Sequence, residues 1–140
     1  MNKISGPLLD RIDLHVEVTP VSYDELSATD ARKGEPSSMI RARVKQARDI
    51  QALRFKDNEE LSGNAQMPSR MVREVCVIDQ VGTKLLKTAM ERLQLSARAY
   101  DRILKVARTV ADLAGSESIK AEHLAEAIQF RTLDRETWAE

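Results

Sequence analysis

Residues 95–115 read LSARAYDRILKVARTVADLAG. Ser96 can accept hydrogen bonds from the unpaired first-turn N–H groups and so start a helix. Gly115 can adopt the left-handed conformation that stops it after Ala114. Arg98, Asp101, Lys105, Arg108 and Asp112 recur every three or four residues and form one polar face. The plain reading of that face is solvent-exposed charge laced with i,i+3 and i,i+4 pairs. Arg98 fits it poorly. A cation in the first turn opposes the helix macrodipole, at a cost of a few tenths of a kcal/mol when exposed. An anion held jointly by Arg98 and the neighbouring N–H groups would remove that conflict.

The helical pattern extends both ways from this stretch. Downstream, a last helix is expected from about Ala121 to Arg131, burying Leu124, Ala127 and Ile128. Immediately upstream, Asp79 can cap a helix whose apolar stripe is Leu85, Leu86, Ala89, Met90 and Leu93. Before it, Pro68 suits the first turn of a short helix carrying Met71, Val72 and Val75. A long helix is expected from about Ser38 to Phe55, capped by Ser37 or Ser38, with Ile40, Val44, Ala47, Ile50 and Leu53 as its stripe. Residues 21–37 read as a linker with one helical turn around Tyr23 to Leu26. Ahead of the linker the period changes. In Ile12 to Val18 apolar and polar residues alternate, which is a strand pattern closed by Thr19-Pro20. One strand cannot make a sheet, so its partners belong to a second molecule or to a missing part of the protein. No alternation of strands and helices signals a complete nucleotide-binding sheet.

Composition narrows the function. The 140 residues hold 22 Lys plus Arg and 22 Asp plus Glu, a formal net charge of zero, so nothing pulls the chain as a whole toward nucleic acid or an anionic membrane. The apolar share is 42% and the charged share 31%, a globular composition. Aromatic residues, at 4%, are too few for a stacking platform and leave an aliphatic core. No apolar run approaches the roughly 18 residues that span a bilayer. Cys76 is the single cysteine, which excludes an intrachain disulfide and suits a reducing cytoplasm; it reads as a small buried hydrophobe. His15 and His123 each lack a second ligand at metal spacing and read as ordinary surface or strand positions, so no metal site is expected. No G-x-x-x-x-G-K-[ST] loop, G-x-S-x-G, H-E-x-x-H or C-x-x-C occurs. A self-contained active site cannot be assembled.

A second arginine stands out in SGPLLDRIDLHVEV, residues 5–18. Arg11 falls between a turn signal and the expected strand. A permanently charged, planar guanidinium there could reach a phosphate on a neighbouring molecule. It could equally pair with Asp10 or Asp13 on the surface.

SGPLLDRIDLHVEV, LSARAYDRILKVARTVADLAG and the following EHLAEAIQFR together resemble the C-terminal third of the magnesium-chelatase-like AAA+ ATPases, in particular the bacterial ComM, or YifB, type. The resemblance runs from Ile4 to about Asp134. It implies a mainly α fold: a helical-bundle AAA+ lid at residues 38–135, preceded by one stray β-strand and the arginine loop of the ATPase core at residues 1–20, the linker at 21–37 and a tail at 136–140. It implies that Arg11 matches the arginine finger that reaches ATP on the next subunit. It also implies that Arg98, with Arg102 as runner-up, matches the sensor-2 arginine on the nucleotide phosphate. ATP and Mg²⁺, a homo-oligomeric ring (a hexamer), and DNA uptake or recombination follow for the full-length parent, which is expected to be a cytoplasmic ATPase. The Walker A, Walker B and sensor-1 segments would lie upstream. The chain itself is therefore expected to hydrolyse no ATP and to bind no cofactor.

Two other readings stay open. The chain could be a standalone helical module that binds protein or DNA through Arg41, Arg43, Lys45, Arg48, Arg54 and Lys56. Asp49, Asp57, Glu59 and Glu60 dilute that patch, so weak, salt-sensitive DNA binding is the most it would support. The family name also suggests the ATPase subunit of a magnesium chelatase.

Overall fold

The computed structural model describes residue 8 and residues 11–27 and 34–131. The middle of the expected linker, most of the loop before Arg11 and the tail from residue 132 lie outside the described residues. The described chain is helical, as expected for a lid. It runs α1 (Tyr23–Ser27), α2 (Ser37–Arg54), a 3₁₀ turn (Asn64–Gln66), α3 (Ser69–Val75), α4 (Gln80–Leu93), α5 (Ala97–Leu113) and α6 (Ala121–Gln129).

Local chemistry sets most helix ends. Asp79 caps α4 by accepting from the Gly82 N–H at 2.7 Å, and Ser96 caps α5 by accepting from the Ala99 N–H at 3.2 Å. Gly115, at φ +65°, turns the chain out of α5. The N–H groups of Gly115 and Ser116 then bond back to the Asp112 and Ala111 carbonyls at 3.0 and 2.8 Å, a Schellman closure. The serine cap expected for α2 does not form. Ser37 is already helical, and Pro36 holds the capping position with no side-chain bond. Pro68 likewise stands one residue before α3 rather than in its first turn. The fixed φ of proline leads each helix in from an extended ψ without a side-chain acceptor.

Helix α5 is the centre of the bundle. It packs against α6, α2, α3 and the 3₁₀ turn, and α6 also packs on α4. Its inner face carries Ala99, Ile103, Leu104, Ala107 and Ala111, all buried. The three alanines let neighbouring elements approach closely while Ile103 and Leu104 fill the space between them. Phe55, Met67, Val72, Cys76, Leu86, Ile119, Leu124 and Ala127 complete the core. The stripe expected on α2 is only partly used. Ala47 is buried, Ile50 is half-buried and Leu53 is exposed, so the helix turns Gln51 and Arg54 inward after Ala47. His123 is buried too, not a surface residue. Its Nδ1 accepts from the Lys120 N–H at 3.1 Å and closes the start of α6, a capping role that spacing along the chain did not show.

The strand expected at Ile12 to Val18 does not form. Among the described residues there is no sheet, only a single parallel bridge between Ile78 and Ile119. Residues 12–20 carry no regular structure, with a bend at Asp13, and among the described residues no sheet edge is present to pair with them. Residues 12–15 lie instead beside α5 and the end of α6: Asp13 pairs with Arg102, Leu14 shares a groove with Val106, Val110 and Leu113, and the His15 N–H donates to the Phe130 carbonyl.

Replacing Leu124, which is fully buried, by Ala is expected to lower the unfolding free energy by about 2–5 kcal/mol. Leu53→Ala, on the exposed side of α2, should stay within about 0.5 kcal/mol. Urea unfolding followed by circular dichroism checks both; equal losses would contradict this assignment of the core.

Candidate functional site

Of the arginines given a nucleotide role, Arg98 and Arg102 sit on α5 and Arg11 precedes the segment that Arg102 holds, and their surroundings differ sharply. Arg98, in the first turn, is exposed and makes no hydrogen bond or ion pair with any described residue. Arg102, one turn further on, pairs with Asp13 of the segment that follows Arg11. Arg11 is exposed two residues before Asp13; its backbone N–H donates to the Leu8 carbonyl at 3.0 Å.

The far end of the same polar face is not solvated, contrary to the plain reading of its sequence. Arg108 and Asp112 are 4% and 1% exposed. Asp112 receives four hydrogen bonds: from Arg54 Nη1 and Nη2 at 2.7 and 2.6 Å, from Asn64 Nδ2 at 2.9 Å and from Arg108 Nε at 3.1 Å. These occupy the lone-pair sites of the carboxylate. The remaining Arg108 donors reach the Glu117 and Ser116 carbonyls at 2.8 and 2.6 Å. Asn64 is held in turn by Arg54 Nη1 at 2.8 Å and by Gln51, whose Oε1 accepts from the Asn64 N–H at 3.0 Å. Gln51 Oε1 also stands 2.9 Å from where a Cβ at Gly63 would lie, so glycine keeps this approach open.

Burial by itself would push the Asp112 carboxyl up. The hydrogen bonds from Arg54 and Asn64 and the charges of Arg54 and Arg108 outweigh it and hold the group below its ordinary value. The hydrogen bond to Asp112 raises Arg54 above its ordinary value, against the opposing effect of burial. Burial pushes the Cys76 thiol up to about 11, against the nearby charges of Arg108 and Arg54, so Cys76 is a neutral, unreactive thiol near pH 7.

The same geometry weakens the basic patch proposed for α2. Arg54 is an internal ligand of Asp112. Arg43 donates to both carboxylate oxygens of Glu35 at 2.7 and 2.9 Å, and Lys45 pairs with Asp49 at 3.2 Å. Among the described residues no group of three His, Cys, Asp or Glu side chains could hold a metal ion. None of the described helices is long and apolar enough to cross a membrane. The cluster around Asp112 was missed because Arg54 and Asp112 lie 58 residues apart. The one local hint was that Arg108 and Asp112 directly follow the buried Ala107 and Ala111.

The family model described as "Magnesium chelatase, subunit ChlI C-terminal" matches residues 34–131. This chain belongs to that family, as a magnesium-chelatase-like C-terminal region of the ComM/YifB type. It is 40% identical over 137 residues to competence protein ComM of Haemophilus influenzae, across 96% of this chain and 25% of that protein. It is 38% identical over 135 residues to YifB of Escherichia coli, across 96% and 26%. An uncharacterized protein of Mycobacterium tuberculosis is 37% identical over 131 residues, across 94% and 25%. The chain thus spans about a quarter of the length of the curated relatives it matches.

Asp112→Ala leaves Arg54 and Arg108 without their shared partner and is expected to destabilise the fold by about 3–5 kcal/mol in urea unfolding. In the unchanged chain the Asp112 contribution is fully present above the ordinary carboxylate range. It is lost as pH falls through the depressed folded value, that is, below about pH 4. Unfolding free energies measured from pH 6 downward should fall more steeply in the unchanged chain than in Asp112→Ala. Parallel curves would remove Asp112 as the acid-sensitive group.

Proposed function

We propose that this chain is the nucleotide-sensing lid of a ring-forming AAA+ ATPase that moves DNA during uptake or recombination. The observation that carries the reading is the charge arrangement of α5. Its first turn holds a cation and no acid, and its last turn holds Asp112 and no base. Both ends oppose the macrodipole. At the C-terminal end Arg54 and Arg108 compensate fully from within the fold. At the N-terminal end the described residues offer Arg98 nothing. Family membership supports a nucleotide phosphate as the missing anion.

In this reading residues 1–20 are the tail of the ATPase core, 21–37 a linker, 38–135 the lid and 136–140 a tail. Arg98 serves as the sensor-2 residue and reports the phosphate to α5. Arg11 serves as the arginine finger toward the neighbouring subunit of a homohexameric ring, neutralising charge that grows on the transferred phosphoryl group. ATP with Mg²⁺ supplies phosphoryl transfer when bound to the whole protein. This chain contributes cationic donors, not a phosphate-cradling loop. The name of the Haemophilus relative supports a role in competence over porphyrin metallation. On α2, Arg43, Lys45 and Arg54 are engaged by Glu35, Asp49 and Asp112, which reduces the basic surface this lid offers to DNA.

In the protein extended upstream to the length of its relatives, Arg11→Ala is expected to lower ATP turnover about 10³-fold. Arg98→Ala should also lower it steeply, while the thermal unfolding of the lid stays unchanged. Turnover unaffected in both variants would end the assignment.

A further inference from the structure

Helix α2 outruns the bundle. Ala47 is buried and Gln51 and Arg54 turn inward, while every residue from Ser37 to Gln46 is exposed, about 15 Å of helix that the bundle leaves uncovered. Ile40 and Val44 continue the stripe of Ala47 at helical spacing, yet each is 43% exposed, and Met39 beside them is 58% exposed. Residues 37–48 carry Arg41, Arg43, Lys45 and Arg48 and no acid. Arg43 and Lys45 have exposed, weak ion pairs with Glu35 and Asp49. Arg41 and Arg48 make none with any described residue. The start of α2 is thus an apolar row edged by cations.

A surface of the opposite kind precedes it. Val21, Tyr23 and Leu26, in and just before α1, are 59%, 82% and 72% exposed. Asp24 and Glu25 stand among them in the sequence, and no Lys or Arg occurs from Ile12 to Ser27. Each of the two surfaces is exposed in a single copy, so neither covers the other within it. Exposed apolar patches of opposite charge, at two different places on one molecule, are what a head-to-tail contact between copies requires.

We propose that the start of α2 is a docking surface between subunits, and that its occupant is the acidic, apolar segment from Val21 to Leu26 of a second copy. The apolar rows meet, and the Arg41 and Arg48 guanidiniums answer the acids of α1. Because the two surfaces differ, every pair of copies keeps one of each free, and the contact repeats until it closes. The inference rests on the ring proposed above only for that closure. It gives the cations of α2 a protein partner in place of DNA.

Sedimentation velocity on the 140-residue chain, without nucleotide, reads the contact. The unchanged chain should form species larger than a dimer as its concentration rises, and fewer of them at high salt. Arg41→Glu with Arg48→Glu spoils the α2 surface and keeps the acidic one; Asp24→Arg with Leu26→Ala does the reverse. Each double variant alone should self-associate about tenfold more weakly or worse. Their circular dichroism should match that of the unchanged chain, since all four residues are exposed. An equimolar mixture of the two should pair as tightly as the unchanged chain but stop at the dimer, because it holds one intact surface of each kind. An unchanged chain that stays monomeric would overturn the proposal, as it would if the two surfaces closed on each other within one copy. So would a double variant that associates as well as the unchanged chain, or a mixture that fails to pair. The ATP turnover that tests Arg11 and Arg98 involves none of these residues, so the contact and the nucleotide roles fail separately.

Discussion

Asp112 is a carboxylate shut off from water in the last turn of α5, where the helix carbonyls already concentrate negative charge. Left alone there it would be strongly destabilising. It is tolerated because two guanidiniums and an amide from three parts of the chain converge on it: Arg54 at the end of α2, Asn64 in the 3₁₀ turn and Arg108 one turn back on α5. Each donor is thereby fixed in place. The bidentate Arg54 contact sets where α2 ends against α5, and the Asn64 contact anchors the loop between α2 and α3. The outer donors of Arg108 fasten the loop that leads from α5 into α6. The apolar core brings the helices together. This one charge sets the register at which they meet.

That constraint makes one end of α5 rigid and leaves the other open. Around Asp112 every charge is answered inside the protein. Around Arg98 the described residues provide no answer, although the helix is well capped by Ser96. An internally satisfied end joined by four helical turns to an unsatisfied one is a suitable lever. In the proposed reading, a phosphate at Arg98 would act on a helix whose far end is held to α2 and to the α5–α6 loop through Asp112 and Arg108. Arg102, between the two ends, ties the same helix to the segment that follows Arg11.

Much of this was legible in the residues. Asp79, Ser96 and Gly115 announced the boundaries of α4 and α5 because caps and left-handed stops are short-range chemistry, complete within four residues. The apolar stripe of α4 and the burial of Leu124 and Ala127 in α6 followed from period alone. The two long strings quoted at residues 5–18 and 95–115 pointed to the family that the match over residues 34–131 establishes. The exposure of Arg98 also agrees with its place on a polar face, since no apolar neighbour on that face draws it inward.

The sequence by itself therefore determined the helices, most of their ends, the aliphatic core and the family, all of which depend on neighbours within a turn or two or on strings of residues read in order. Only the tertiary structure decided which charges are internal. Arg54, Arg108 and Asp112 have the same local spacing as surface pairs, and their burial depends on partners that the fold brings from up to 58 residues away. It also decided the fate of Ile12 to Val18. Alternation specifies the two faces of an extended segment but not what lies alongside it. With no sheet edge among the described residues, the polar face found Arg102 and the end of α6 instead.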